Sequence, residues 1–150
     1  MSCCCEKKTV QSDKAPKALG PYSIAVKAGD FVFTSGQVGI DPKTGAIVPG
    51  GIEAETRQVL DNLVVVLEAA GVSMASVVKT TVFLKDMGDF AVMNGIYATY
   101  FTENPPARSA IQVAALPKGA LVEIEAIAQA ACECGDGEDE KGADCCCKEK

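Results

Sequence analysis

Only two stretches of this chain have the periodicity of amphipathic helices, and both lie among stretches with the two-residue period of β-strands. Residues 52–70 repeat apolar side chains every three or four positions and stop at Gly71, which favours a left-handed helix end. Residues 90–101 form the second helical pattern, with Asp89 as the predicted N-cap. Strand patterns cover residues 24–27, 31–37 and 77–85, two strands within 105–128, and a brief extended piece at 46–48. The order β-β-(β)-α-β-α-β-β has too few helices for a doubly wound sheet, so we predict an α+β fold with one sheet and both helices on one face.

The predicted sheet is apolar on both faces. Phe31 and Phe33 lie on the face opposite Val32, and Ile127 alternates with Ala128. Because the helices cover only one face, the other face needs a partner surface. We therefore expect a closed, cyclic oligomer.

Residues 105–128 read as two strands joined by a tight turn at 116–119, and two charges interrupt their apolar pattern. Arg108 opens the first strand, and Glu123 lies inside the second between apolar neighbours. A charge in a half-buried strand is costly unless it is paired or functional. Arg108 can fork two hydrogen bonds onto a carboxylate, and Glu123 can hold and activate a water molecule. The pattern predicts a small pocket that grips a carboxylate and hydrolyses a group beside it; alternatively, the two charges only pair with each other across a subunit contact.

Composition limits the function classes that this chain can serve. Its 150 residues suggest one domain, which we place at 9–131 between tails at 1–8 and 132–150. The net charge of −6 gives no basic footprint for nucleic acid. No apolar run is long enough to span a bilayer, and the N-terminus lacks the pattern of a secretory signal, so we expect a cytoplasmic protein. The chain has no histidine, so acid–base chemistry must use other groups such as carboxylates.

The eight cysteines all lie near the two ends of the chain, and three interpretations remain open for them. The tails are reduced and disordered, or they hold a soft metal through thiolates, or they carry acyl chains that tether the protein to a membrane. The runs of adjacent cysteines lack the spaced pairs of a structural zinc site. Apart from such acylation, we expect no membrane partner. The cysteines are Cys3, Cys4, Cys5, Cys132, Cys134, Cys145, Cys146 and Cys147.

Four segments together resemble the Rid family, the YjgF-like reactive intermediate deaminases. They read ALGPYS at 18–23, TSGQ at 34–37, VKTTVFLKD at 78–86, and PARSA at 106–110 followed by VEIEAI at 122–127. The resemblance covers nearly the whole domain. It implies a chorismate-mutase-like α+β fold and a homotrimer whose three sheets line a central barrel, with active sites in the clefts between subunits.

The resemblance also implies a reaction and its residues. The family hydrolyses 2-imino acids, such as 2-iminobutanoate and 2-iminopropanoate, to 2-keto acids and ammonia; the substrates come from pyridoxal-phosphate-dependent dehydratases. Arg108 matches the arginine that pairs with the substrate carboxylate, and Glu123 matches the glutamate near the imine and its water. Tyr22, Ser35 and Asn94 match residues that line the cleft. Ala110 stands where the family often has cysteine, and its backbone remains able to bind substrate. This mechanism requires no metal and no cofactor.

Two other functions remain open at this stage. Some members of the family are described as endoribonucleases, although this chain is acidic and lacks histidine. The same cleft could instead serve a non-enzymatic regulator or holdase that binds small carboxylates. The presence of Glu123 beside Arg108 favours catalysis over binding alone.

Overall fold

The computed structural model describes residues 7–130, which form one mixed sheet with two helices. The strands are β1 (Lys8–Val10), β2 (Ala25–Ala28), β3 (Phe31–Thr34), β4 (Gln37–Val38), β5 (Val77–Leu84), β6 (Ala107–Gln112) and β7 (Val122–Gln129). The helices are α1 (Gly51–Ala69) and α2 (Phe90–Tyr100). The sheet order is β1-β2-β3-β7-β5-β6, and β4 also pairs with β7. All eight cysteines lie outside the described residues, so the interpretations of the tails stay predictions.

The core lies between the helices and one face of the sheet. In β7 the alternate residues that begin with Val122 are buried, whereas Glu123, Glu125 and Ile127 are half-buried and Gln129 is exposed, as the two-residue period requires. Both helices pack on the buried face, which confirms the predicted α+β, chorismate-mutase-like arrangement. The helices supply the buried side chains Val59, Leu60, Leu63, Val66, Leu67, Met93, Ile96 and Tyr97. No helix within residues 7–130 is long and apolar enough to cross a membrane.

The helix ends confirm one prediction and show that another was wrong. Gly71 has φ of 77°, which confirms the predicted left-handed helix end. The N–H of Val72 donates to the carbonyl of Leu67 at 3.0 Å, so α1 ends in a Schellman motif. Asp89 is not a side-chain N-cap, because it already has helical dihedrals and its side chain makes no capping bond. Asp86 is the side-chain N-cap instead, at the start of the 3₁₀ turn that precedes α2, where its Oδ1 accepts from the N–H of Gly88 at 2.7 Å.

The two strands of residues 105–128 exist, but they are not neighbours in the sheet. Strand β6 pairs in parallel with β5, and β7 pairs antiparallel with the other edge of β5. The helix α2 connects β5 to β6, and a strand–helix–strand crossover of this kind places its two strands in parallel. The connection from β6 to β7 then crosses β5 through a short 3₁₀ turn, Pro117–Gly119, where Gly119 takes the predicted positive φ at 71°. The turn was correctly located, and the direct pairing that a tight turn suggests was wrong.

The predicted strand 31–37 is interrupted by an extra residue. Phe33 pairs with Ile127 and Gln37 pairs with Ile124, so three residues (34–36) lie opposite two (125–126). The bulge leaves the N–H of Ala126 without a ladder partner, and the hydroxyl of Thr34 accepts from it at 2.9 Å. Strand β1 was not predicted at all, since its three residues carry too little pattern.

The face of the sheet away from the helices is open within the described chain. Phe31, Phe33 and Ile111 are each at least 40% exposed there. Monomers rarely expose several large apolar side chains on one surface, so this face remains suited to burial by another copy. Strand β6 pairs only with β5 among the described strands, so its outer edge is open as well.

The Thr34 hydroxyl should be a measurable part of the stability of the sheet. We expect Thr34→Val to lower the free energy of unfolding by about 1–3 kcal/mol, because the valine has the same shape and leaves the buried Ala126 N–H unsatisfied. Thr34→Ser keeps the hydroxyl and should cost less. Urea unfolding at one fixed protein concentration measures both, and a valine variant as stable as the parent would contradict the role assigned to this bond.

Candidate active site

Arg108 lies on the helix-covered face of the sheet, held against one side of α2. Its Nη2 donates to Asn94 Oδ1 at 2.8 Å. Its guanidinium carbon lies 4.6 Å from the centre of the Tyr97 ring and 5.6 Å from that of Phe90. These three α2 residues are spaced by four and then three positions, so they form one helix face. The rings and the amide fix the guanidinium by cation–π contact and by one hydrogen bond.

The held guanidinium retains donors for a ligand. A guanidinium carries five N–H groups, and Asn94 is its one hydrogen-bond partner among residues 7–130. Ala110 lies two residues further along β6, with its half-buried side chain packed against the same core. Arg108, Asn94 and Ala110 therefore form one group of the predicted residues, which we call the Arg108 half-site.

Glu123 lies on the opposite, open face of the sheet. Its strand neighbour in β4 is Val38, and its carboxylate occupies the space next to Gly36 in the bulge. A Cβ atom at Gly36 would overlap the Glu123 carboxylate, so this position has to be glycine for Glu123 to keep its place. The extra residue of the bulge thus serves to bring the backbone of β3 and β4 close to Glu123.

Tyr22 and Ser35 lie on the same side of the molecule as this bulge. The hydroxyl of Ser35 donates to the carbonyl of Ser23 at 2.7 Å, and the Tyr22 hydroxyl accepts from the N–H of Leu19 at 2.9 Å. Tyr22 and Gly36 line a small surface pocket together. The other residues of that pocket are Pro16, Lys17, Leu19, Ile24, Gln37, Val38 and Ile40. We call Tyr22, Ser35, Gly36 and Glu123 the Glu123 half-site.

The pKa of the Glu123 carboxyl group is raised above its ordinary value. Burial raises its pKa above 4.5, and the neighbouring carboxylate of Glu125 on the same strand face raises it further. Among residues 7–130 the one ion pair joins Arg57 to Glu53, so no cation of the described chain neutralises Glu123. A carboxyl group with a raised pKa is suited to accept and return a proton.

The structure does not bring Arg108 and Glu123 together within one chain. Arg108 is aligned with Thr80 of β5 and through it with Ala126 of β7. Glu123 therefore lies two strand spacings, about 10 Å, from Arg108 across the sheet and about 10 Å from it along the strand direction. The Glu123 side chain also lies on the other face of the sheet. An ion pair between the two within the chain is excluded by this geometry. The prediction of one site that contains both residues needs a second copy of the chain.

Sequence reasoning missed three residues that belong to or support these half-sites. Phe90 and Tyr97 lie in the predicted helix 90–101 without a functional role of their own, and Gly36 was noted only as part of the TSGQ motif. The signal for the first two was available, since Phe90, Asn94 and Tyr97 have the spacing of one helix face. No pattern in the sequence marks the contact of Gly36 with Glu123, because it depends on the pairing of distant strands.

Comparison with known proteins agrees with this fold. The family described as Endoribonuclease L-PSP matches residues 12–130. The match covers most of the chain, so the chain belongs to this family, which includes the YjgF and Rid proteins.

Individual relatives are similar over nearly their whole length. A RutC family protein of Pyrococcus horikoshii is 58% identical over 122 residues, which are 81% of this chain and 97% of the relative. A mouse protein named 2-iminobutanoate/2-iminopropanoate deaminase is 55% identical over 122 residues, which are 81% of this chain and 90% of the relative. The crystal structure of a Rid-family protein from Yersinia pestis, described as being of unknown function, superposes with a TM-score of 0.79 at 46% identity, covering 83% of this chain and 99% of that one.

Glu125 offers a direct test of the electrostatics at Glu123. We expect Glu125→Gln to lower the pKa of Glu123, because it removes a neighbouring negative charge that disfavours ionisation. The ¹³C chemical shift of the Glu123 carboxyl carbon, followed by NMR through a pH titration, measures this pKa. The exposed Glu68→Gln on α1 serves as the control and should leave it unchanged. An unchanged or higher Glu123 pKa in the Glu125 variant would contradict the assignment.

Proposed function

We propose that this protein hydrolyses small 2-imino acids, such as 2-iminobutanoate and 2-iminopropanoate, to 2-keto acids and ammonia. The observation that carries the proposal is the pair of half-sites: a guanidinium fixed with free donors, and an unneutralised carboxyl group with a raised pKa. The name of the mouse relative, which is 55% identical, supports the same reaction. A guanidinium that binds a carboxylate and a carboxyl group that transfers protons can together support hydrolytic deamination, with water as the second reactant.

Arg108 binds the substrate carboxylate in this proposal. Two parallel N–H···O bonds from one guanidinium fix both the position and the plane of a carboxylate. Because Asn94 and the rings of α2 already hold the guanidinium, little freedom is lost when the ligand binds. The imine carbon, one bond from the carboxylate, is thereby placed for attack, and a backbone group at Ala110 on the open edge of β6 contributes a further contact.

Glu123 carries the protons. The ionised carboxylate favours the protonated imine and accepts a proton from water while the water oxygen bonds to the imine carbon. The product of this step is a carbinolamine. Protonated Glu123 then returns its proton to the amino group, and the C–N bond breaks with its electron pair leaving on nitrogen. The ionised Glu123 takes the hydroxyl proton and passes it to the departing ammonia, which gives the keto acid and ammonium and restores the carboxylate. The atoms balance with one water molecule and no metal, cofactor or covalent intermediate.

A homotrimer would complete the site. The two half-sites lie on opposite faces of the sheet, so the Arg108 half-site of one protomer must meet the Glu123 half-site of the next. The open face with Phe31, Phe33 and Ile111 supplies apolar surface for such an assembly. A closed ring of three contacts of this kind gives three equivalent sites, and the cyclic form leaves no half-site unused.

The family description names an endoribonuclease, and the composition of this chain does not favour that activity. Its net charge is −6, and it lacks the histidines that could serve as acid and base in RNA cleavage. The Arg108 half-site does not form an extended basic surface, because Arg108 is a single cation held against the aromatic rings of α2. RNA cleavage therefore serves as a control measurement for the purified protein.

A coupled assay tests the proposed reaction. A threonine dehydratase generates 2-iminobutanoate, semicarbazide competes for it, and the purified protein should accelerate imine decay. We expect Arg108→Ala to lower kcat/KM about a hundredfold or more, because the substrate is no longer positioned. Glu123→Gln keeps the size of the side chain and should lower kcat about a hundredfold, because the proton acceptor is lost.

Two controls make the assay specific. Arg108→Lys keeps the positive charge but lacks the planar fork, so most of the loss should remain. Thermal unfolding of each variant separates lost chemistry from lost structure. Binding of 2-ketobutyrate without faster imine decay would favour a small-carboxylate sensor instead, and RNA cleavage that survives Arg108→Ala would indicate another site or a contaminant.

A further inference from the structure

Helix α1 carries a buried carboxylate that the proposed chemistry does not use. Glu55 is only 5% exposed, and its Oε2 accepts from the backbone N–H of Leu121 at 2.8 Å. Burial raises the pKa of Glu55, while the Leu121 hydrogen bond and the charge of Lys85 lower it. Helix α1 packs tightly against the backbone at Gly39, since a Cβ atom there would lie 3.0 Å from three carbon atoms of Glu55. A buried carboxyl group is costly, so one that bonds a single backbone N–H calls for a specific reason.

A second buried polar side chain lies two turns further along the same face of α1. Asn62 is 1% exposed, and its Nδ2 donates to the carbonyl of Val38 at 3.1 Å and to that of Ile40 at 2.9 Å. Its Oδ1 accepts from Gln58 Nε2 at 2.9 Å, so every polar atom of the Asn62 side chain has a partner. Such a fully bonded amide fixes the backbone segment that it contacts.

The two contacts hold the backbone on both sides of Glu123. Leu121 lies two residues before Glu123 along the chain, and Val38 is the residue paired with Glu123 across the β4–β7 ladder. Both contacts come from the helix side of the sheet, whereas the Glu123 side chain lies on the open side. Neither Glu55 nor Asn62 therefore lies on the face of the sheet where Glu123 would meet substrate.

We infer that Glu55 and Asn62 are positioning residues that fix the Glu123 carboxyl from behind the sheet. The inference rests on the proposed function of Glu123. Its physical reason is that catalytic groups must be held within about half an ångström of their working geometry, by packing and by hydrogen bonds of their neighbours. The short strand β4, with two residues, cannot supply this alone, so α1 supplies it.

The test replaces the acceptor of Glu55 and separates chemistry from binding. In Glu55→Leu the N–H of Leu121 loses its partner, and we expect kcat to fall about tenfold or more, because the strand that carries Glu123 loosens. KM should stay within about twofold, since the Arg108 half-site is untouched. Glu55→Gln keeps an acceptor oxygen and should restore most of kcat. The pKa of Glu123, measured by carboxyl ¹³C NMR, should fall in Glu55→Leu as water reaches the carboxyl group.

Thr56→Val is the matched control. Thr56 is buried in the same helix turn at 0% exposure, and its hydroxyl donates only to the carbonyl of Ile52 within the helix. The hydrogen bond that this variant removes does not involve β4 or β7, so it should change neither kcat nor the pKa of Glu123. If Glu55→Leu fails to fold, Asn62→Leu tests the same inference through Val38 and Ile40.

The outcomes separate this inference from the proposed function. A wild-type protein without deaminase activity would refute the proposed reaction, and the NMR pKa of Glu123 would still decide whether Glu55 positions it. An unchanged Glu123 pKa in both Glu55→Leu and Asn62→Leu would overturn the inference. So would losses of kcat that Thr56→Val reproduces, because they would indicate general destabilisation.

Discussion

A β-strand directs successive side chains to opposite faces, and this constraint separates the two charged residues on which the proposed chemistry depends. Arg108 lies on the helix-covered face of the edge strand β6, whereas Glu123 lies on the open face of β7, with β5 between them. No change of rotamer brings both to one small ligand within a single chain. Each protomer therefore carries two halves of a site that face in different directions. Under the proposed function, association of copies would complete the active site as well as stabilise the protein.

Each half-site has its own support, and the supports use different elements. The aromatic rings and the amide of α2 immobilise Arg108 from one side. The Glu123 half-site depends on a bulge, where Thr34 replaces a missing ladder bond and Gly36 leaves room for the carboxylate. Bulges next to functional sites commonly redirect a strand in this way. The helix α1 packs against the rear of this region through polar contacts that a purely apolar core would not supply.

The sequence was most informative where a pattern is local. The helix predicted at 52–70 is found at Gly51–Ala69, because nineteen residues of apolar repeat and a terminal glycine leave little ambiguity. The sequence could not predict which strands lie next to β6 and β7. Strand order depends on which edge of β5 is taken by β6, and this is set by the crossover connection through α2. For the same reason the sequence named Arg108 and Glu123 but could not place them on opposite faces. Phe90, Tyr97 and Gly36 gain their roles only through contacts between distant segments.

The central claim is that one active site uses Arg108 from one protomer and Glu123 from its neighbour, and mixed assembly tests it most directly. Chains that carry Arg108→Ala and chains that carry Glu123→Gln should each be inactive alone. When the two chains assemble at random in a 1:1 ratio, about a quarter of all interfaces join an intact Arg108 to an intact Glu123, so the unseparated mixture should regain about a quarter of the wild-type deaminase activity. Each mixed trimer has one such interface in three, so isolated mixed trimers should have about a third of that activity. Mixed assemblies, separated by two affinity tags, that remain as inactive as either parent would contradict a shared site.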